Sequence, residues 1–161
     1  MIELLVALSV IVVGVIGVFS LMTQSLGLTR VVADRYIANY LGVEGIEVVK
    51  NLADRNAIQG DWTSGLTEGE YEVSYDSSNL PLPPYNPNRF LTMSPIGIYS
   101  YDTSPENRQT SFRRKVTIRY PDCPAEPRCL DRMQVNSIIA WTSRGGAEFE
   151  LNLEDHLFRW R

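Results

Sequence analysis

Residues 4–22 form one apolar run, LLVALSVIVVGVIGVFSLM, with no charge and no proline. Its only breaks are Ser9, Gly14, Gly17 and Ser20. As a helix these 19 residues span roughly 28 Å, close to the hydrocarbon thickness of a bilayer. Such a segment must be covered by lipid or by other apolar helices. Glu3 stands at its front. A carboxylate deep in lipid costs a few kcal/mol unless it is paired or held near the interface.

Three readings compete for residues 1–22. A secretory signal peptide begins with Lys or Arg and ends at a small-residue cleavage site. Here the start is Met1-Ile2-Glu3, the first basic residue is Arg30, and Ser20-Leu21-Met22-Thr23-Gln24 is a poor cleavage site. A single-pass anchor fits the length but gives Glu3 no role. The third reading is a helix that leaves the bilayer and packs against copies of itself, where Glu3 meets a positive partner. An alternative for the carboxylate alone is a place among lipid headgroups.

From Thr23 the pattern becomes amphipathic. Leu26, Ala33, Ile37, Leu41, Val48 and Leu52 recur at near-helical spacing, with Tyr36, Tyr40 and Val49 beside them. No proline interrupts, so one helix is expected from about residue 2 to residue 54, roughly 80 Å long. Its first half is apolar all round and its second half carries a stripe. That stripe would suit either a dimeric coiled coil or a sheet in the same chain. Strand patterns follow at residues 70–75, 90–93, 97–101, 112–120, 133–142 and 147–153, which favours the sheet. Ser143-Arg144-Gly145-Gly146 reads as a hairpin turn. The expected fold class is α+β, with the long helix on a small antiparallel sheet. The expected divisions are residues 1–22, residues 23–55 and a β head at residues 56–161. Residues 77–90, with four prolines and three asparagines, are expected as a loop on the outside of the head.

The net charge is -4 and no basic stripe occurs, so nucleic acid is not an expected partner. Cys123 and Cys129 lie six positions apart in a proline-rich stretch. In an oxidising compartment they are expected to close a small disulfide loop; in a reducing one they would stay free thiols. His156 is the only histidine. With Cys123 and Cys129 it offers at most three ligands, at a spacing that fits no zinc motif. No G-x-S-x-G, P-loop or dinucleotide fingerprint occurs. No catalytic residue, metal or cofactor is expected. Glu154-Asp155 reads as solvated surface, and Asp131-Arg132 as a turn or strand edge. Trp62 and Trp141 read as packing anchors, Trp141 in the core. Trp160 would stack on the sheet or meet a neighbouring subunit.

The segment MIELLVALSVIVVGVIGVFSLM resembles the N-terminus of mature type IV pilins and pseudopilins. Those chains typically begin Phe-Thr-Leu-Ile-Glu-Leu, so matching Ile2-Glu3-Leu4 leaves this chain two residues short of the pattern. IANYLGVEGIEVVKNLADRN, at residues 37–56, is similar to a Gln-Glu-Gly-Ile-Glu stretch of minor pilins and pseudopilins. WTSRGGAEFELNLEDHLFRWR, at residues 141–161, resembles their final hairpin and closing Trp-Arg. The likeness is strong over about 55 residues, weaker over the last 50 and only suggestive between. The family's proline near the end of the apolar run is missing; the first proline is Pro81. Gly14 and Gly17 are weak helix points instead, where local melting would be easiest.

The resemblance implies a precursor cut and methylated by a prepilin peptidase at the cytoplasmic side. The subunit waits in the inner membrane, and assembly machinery then moves it into a helical filament of identical or homologous pilin subunits at the cell surface. The residues it implies for assembly are Glu3, Leu4, Leu5, Leu8, Gly14 and Gly17. The glutamate matching Glu3 would pair with a neighbour's terminal amine. An unpaired carboxylate inside an apolar core is costly, so that pair would act as a register device. Adhesion, motility, DNA uptake or secretion would be the filament's work. The rival expectation is a membrane-anchored, exported binding or sensor domain that does not polymerise.

Overall fold

The computed structural model describes residues 2–78, 80–121, 131–143 and 146–159. Helix α1 runs unbroken over Ile2–Gln59, about one turn past its expected end. Gly60 stops it, with φ +99°. The Gly60 N–H donates to the Ala57 carbonyl at 3.1 Å and the Asp61 N–H to the Asn56 carbonyl at 3.2 Å. This pair of bonds satisfies two of the last carbonyls and needs a residue that accepts a left-handed backbone.

The chain divides into two compact units, residues 1–36 and residues 37–161. The first holds helix only. The second holds residues 37–59 of α1 and all the strands, so the compact head takes in the helical turns from Ile37 onward. The strands are β1 (Gly69–Tyr71), β2 (Thr92–Met93), β3 (Tyr99–Ser100), β4 (Arg108–Gln109), β5 (Phe112–Arg119), β6 (Arg132–Thr142) and β7 (Glu148–Phe158). They make an antiparallel four-stranded sheet, order β1-β5-β6-β7, and an antiparallel three-stranded sheet, order β3-β2-β4. The fold is α+β, as the helix-then-strands pattern predicts. β4 was not legible in the sequence. β7 continues five residues beyond its expected end, and Arg144 and Gly145 of the expected turn lie outside the described residues.

Residues 37–59 of α1 bury Ala38, Leu41, Gly42, Gly45, Ile46, Val49, Leu52, Ala53 and Asn56. This stripe is rotated from the expected one. Leu41, Val49 and Leu52 are buried as expected, and Ile37 and Val48 are half-buried. Leu26 (62% exposed), Tyr36, Tyr40 and Ala33 are exposed. The reason is close approach. A Cβ on Gly45 would lie 2.5 Å from Ser137 Oγ and 3.2 Å from Arg114 Cδ; one on Gly42 would lie 2.7 Å from Leu153 Cδ1. A reading that seeks large apolar residues passes over the two glycines that bring the backbone onto the sheet.

Alternation decides the sheet faces. Phe112, Arg114, Val116 and Ile118 of β5 are buried, as are Met133, Val135, Ser137, Ile139 and Trp141 of β6. One core joins Ile46, Val49 and Leu52 to Trp62, Leu66, Val73, Leu82 and the middle of the sheet. A second joins Ala38 and Leu41 to Leu91, Phe112, Ile139 and Trp141. In the second, Phe112 lies 6.0 Å from Trp141, and Trp141 stacks on Phe149 at 5.5 Å. Trp62 and Trp141 are therefore packing anchors.

The proline-rich loop lies against β1. The Glu72 N–H donates to the Pro83 carbonyl, the Tyr85 N–H donates to the Glu70 carbonyl, and Pro84 bridges Tyr71. Leu82 is buried in the core. Four prolines cannot continue a strand ladder, so the segment closes the outer edge of the sheet through one isolated bridge and forms no strand there.

Candidate assembly surface

Every side chain of α1 from Ile2 to Arg30 is exposed. The helix is long and apolar enough to cross a bilayer. The sequence makes this segment helical by composition, since nothing from Leu4 to Met22 competes for backbone hydrogen bonds except two serines. Ser9 Oγ donates back to the Val6 carbonyl at 2.7 Å, which settles its hydroxyl within the turn.

All six expected assembly residues lie on this helix, but not on one face. At about 100° per residue, Glu3, Gly14 and Gly17 share one side, three to four turns apart. Leu4 and Leu8 point to a neighbouring side, and Leu5 lies further round. The glycines are open: nothing lies within 4 Å of a Cβ built on Gly14 or Gly17. Beside Gly14, a shallow apolar notch of about 420 Å³ is lined by Ile11, Val15, Val18, Phe19 and Met22. Among the described residues Glu3 has no hydrogen bond or ion pair, so its expected positive partner is not within this part of the chain.

The head carries most of the polar network. Arg114 is fully buried, a position that its charge does not announce but its place in the alternation of β5 requires. It donates from Nη1 to the Leu41 carbonyl at 2.9 Å and from Nη2 to Glu44 Oε1 at 3.3 Å. The Tyr101 hydroxyl donates to the Arg114 carbonyl at 2.8 Å. Burial pushes the Tyr101 phenol up to about 12, against the opposing pull of the Arg114 charge. Glu72, also buried, accepts from Arg89 Nη1 at 2.7 Å and from the Asn86 N–H at 3.3 Å, which fixes the proline-rich loop.

His156 lies between Arg132, whose Nε donates to Nδ1 at 3.2 Å, and Glu154 Oε1, 3.0 Å from Nε2. Hydrogen bonds from Asn136 and Gln134 hold the Glu154 carboxyl below its usual range. Glu154 is exposed, in keeping with a solvated surface. Arg132 opens β6, and Asp131 accepts the Arg159 N–H at 2.9 Å, so this dipeptide is a strand edge. Among the described residues no group of three His, Cys, Asp or Glu is placed to hold a metal. The expected disulfide partners Cys123 and Cys129, and Trp160, lie outside the described residues.

No protein-family model, curated protein or solved structure matches this chain.

Proposed function

We propose that this chain is a structural subunit of a type IV pilus-like helical filament, polymerising through the first half of α1. The observation that carries the reading is a 29-residue helical stretch, Ile2 to Arg30, with every side chain exposed and a carboxylate at its front. An apolar helix of this length needs cover along its whole surface. Lipid supplies that cover but gives Glu3 at most a place among headgroups. A bundle of identical helices supplies both, provided that a neighbour's terminal amine meets the carboxylate. The glycines on the Glu3 side let a neighbouring backbone come close. In this reading the subunit resides in the inner membrane before assembly, a prepilin peptidase prepares its N-terminus, and the finished filament stands at the cell surface. The work of the molecule is polymerisation, not turnover.

A second reading keeps the helix as a permanent anchor for an exported binding or sensor domain. The membrane-spanning length and composition of α1 favour it equally. Glu3→Ala separates the two. In the filament reading the variant inserts into membranes normally but is lost from isolated fibres, scored by electron microscopy and immunoblotting. Wild-type chain that never enters fibres when every assembly factor is present would leave only the anchor.

A further inference from the structure

The two edges of the four-stranded sheet are treated differently. The β1 edge is closed by residues 83–85, as described above. The β7 edge, eleven residues long, has no partner strand among the described residues.

The register tells which backbone groups it offers. β6 and β7 pair without a bulge from Arg132↔Phe158 to Thr142↔Glu148. Just beyond each end, the Arg159 N–H donates to the Asp131 carbonyl and the Ser143 N–H to the Ala147 carbonyl. Both bonds fall on odd-numbered residues. In an antiparallel ladder, odd residues of β7 therefore bond to β6 and even residues turn their N–H and C=O outward. The His156 N–H supports this, since it is taken by the Asp155 carboxylate at 2.8 Å instead of by β6. That exposed carboxylate caps one outward donor. From Glu148 to Glu154 no such cap occurs among the described residues.

The same even residues carry the outer side chains Glu148, Glu150, Asn152 and Glu154, three of them acidic. Phe149, Leu151 and Leu153 alternate with them and are half-buried on the helix side. Toward the end of β7 the edge adjoins a cleft of about 410 Å³, between Lys50, Ala53, Asp54 and Trp62 on one side and residues 155–158 on the other. A strand edge beside a helix is the arrangement that takes up an extended peptide by adding a strand.

We propose that the β7 edge and its cleft are a docking groove for an extended segment of a partner protein in which basic and apolar residues alternate. Basic residues answer the acids on the outer face; apolar ones continue the Phe149, Leu151 and Leu153 face toward the cleft. A second copy of this chain is a poor occupant. Antiparallel self-pairing about Leu151 sets Glu148 opposite Glu154, and pairing about Asn152 sets Glu150 opposite Glu154, which is unfavourable. The inference concerns residues 37–161 and does not rest on the filament reading.

The test uses the full-length chain in nonionic micelles and a fluorescent acetyl-Lys-Val-Lys-Leu-Lys-Val-Lys-amide. Saturable binding is expected, with slowed amide hydrogen exchange at residues 148–154. A peptide with Glu in place of every Lys should not bind. The double variant Glu150→Lys, Glu154→Lys should weaken the parent peptide about tenfold. Two N-methylated peptides, one for each set of alternate amides, complete the test: the set that faces β7 should abolish binding and the other should keep it. No saturable binding, or equal binding of both methylated peptides or of a scrambled peptide, would overturn the proposal. So would protection outside β7, or a β7-to-β7 dimer in sedimentation that the peptide cannot displace.

Discussion

Residues 2–36 and residues 37–59 belong to one helix, yet its backbone is the only thing they share. In the first stretch no described residue is buried; in the second, nine are. The difference is not one of hydrophobicity, since the exposed stretch is the more apolar of the two. It lies in shape. The second stretch pairs large side chains with Gly42 and Gly45, which lets one face sink onto β5, β6 and β7. The first has glycines too, but among the described residues nothing lies within 4 Å of a Cβ built on Gly14 or Gly17. A glycine that seats the helix on a sheet in one region lies open among the described residues in the other.

The contrast is breakable. Its largest expected signature is at Arg114. Arg114→Ala should destabilise the head by about 3 kcal/mol, through lost packing and lost bonds to Leu41 and Glu44, read by urea unfolding of the full chain in micelles. Arg114→Met, which keeps the volume, should cost less. A loss below about 0.5 kcal/mol for the alanine variant would mean that the helix is not seated through this side chain.

Next comes a matched pair of glycines. Gly45→Val drives a branched side chain into Ser137, Arg114 and Val116, and should cost about 2 kcal/mol. Gly14→Val meets open space and should leave the melting of the head unchanged. Equal losses in the two variants would erase the distinction between the regions.

A smaller effect is expected at alkaline pH. The Tyr101 phenol is raised from 10.0 to about 12 by burial, so the neutral form is the one that the fold favours. Its contribution is complete below pH 10 and is lost as the pH rises toward 12. Tyr101→Phe should flatten that limb of the stability curve. The smallest effect is at Glu154, whose lowered carboxyl contributes above its usual 4.5 and stops contributing as the pH falls through its lowered value. Glu154→Gln should match the wild type in strong acid and fall slightly below it near neutrality.

The sequence made the long helix legible, because no proline precedes Pro81 and the apolar run admits no other element. β5, β6 and β7 were legible from alternation. Three things were hidden. The seat of the helix was hidden because Gly42 and Gly45 contribute no apolar area. Arg114 was hidden because charge and burial point opposite ways, and only its partners on α1 reconcile them. The short strand β4 was hidden because two residues cannot show a period, whereas β2 and β3 fall within the strands expected at 90–93 and 97–101. The proline-rich loop lies largely at the surface, as its composition says, and the one part that composition did not show is Leu82, which reaches the core. The residues expected for assembly all fall on α1, and that they do not share one face becomes plain only when the turns are counted.

The hold of Arg114 on Leu41 has a consequence for life in brine. Counter-ions reach the rim pairs Lys50–Glu47 and Lys115–Glu70, whose side chains are substantially open, and concentrated electrolyte will loosen them. The sealed guanidinium is beyond their reach. The seating of helix on sheet should therefore survive an ionic strength that dissolves most of the surface charge pattern, and the head should keep its form from fresh water to seawater.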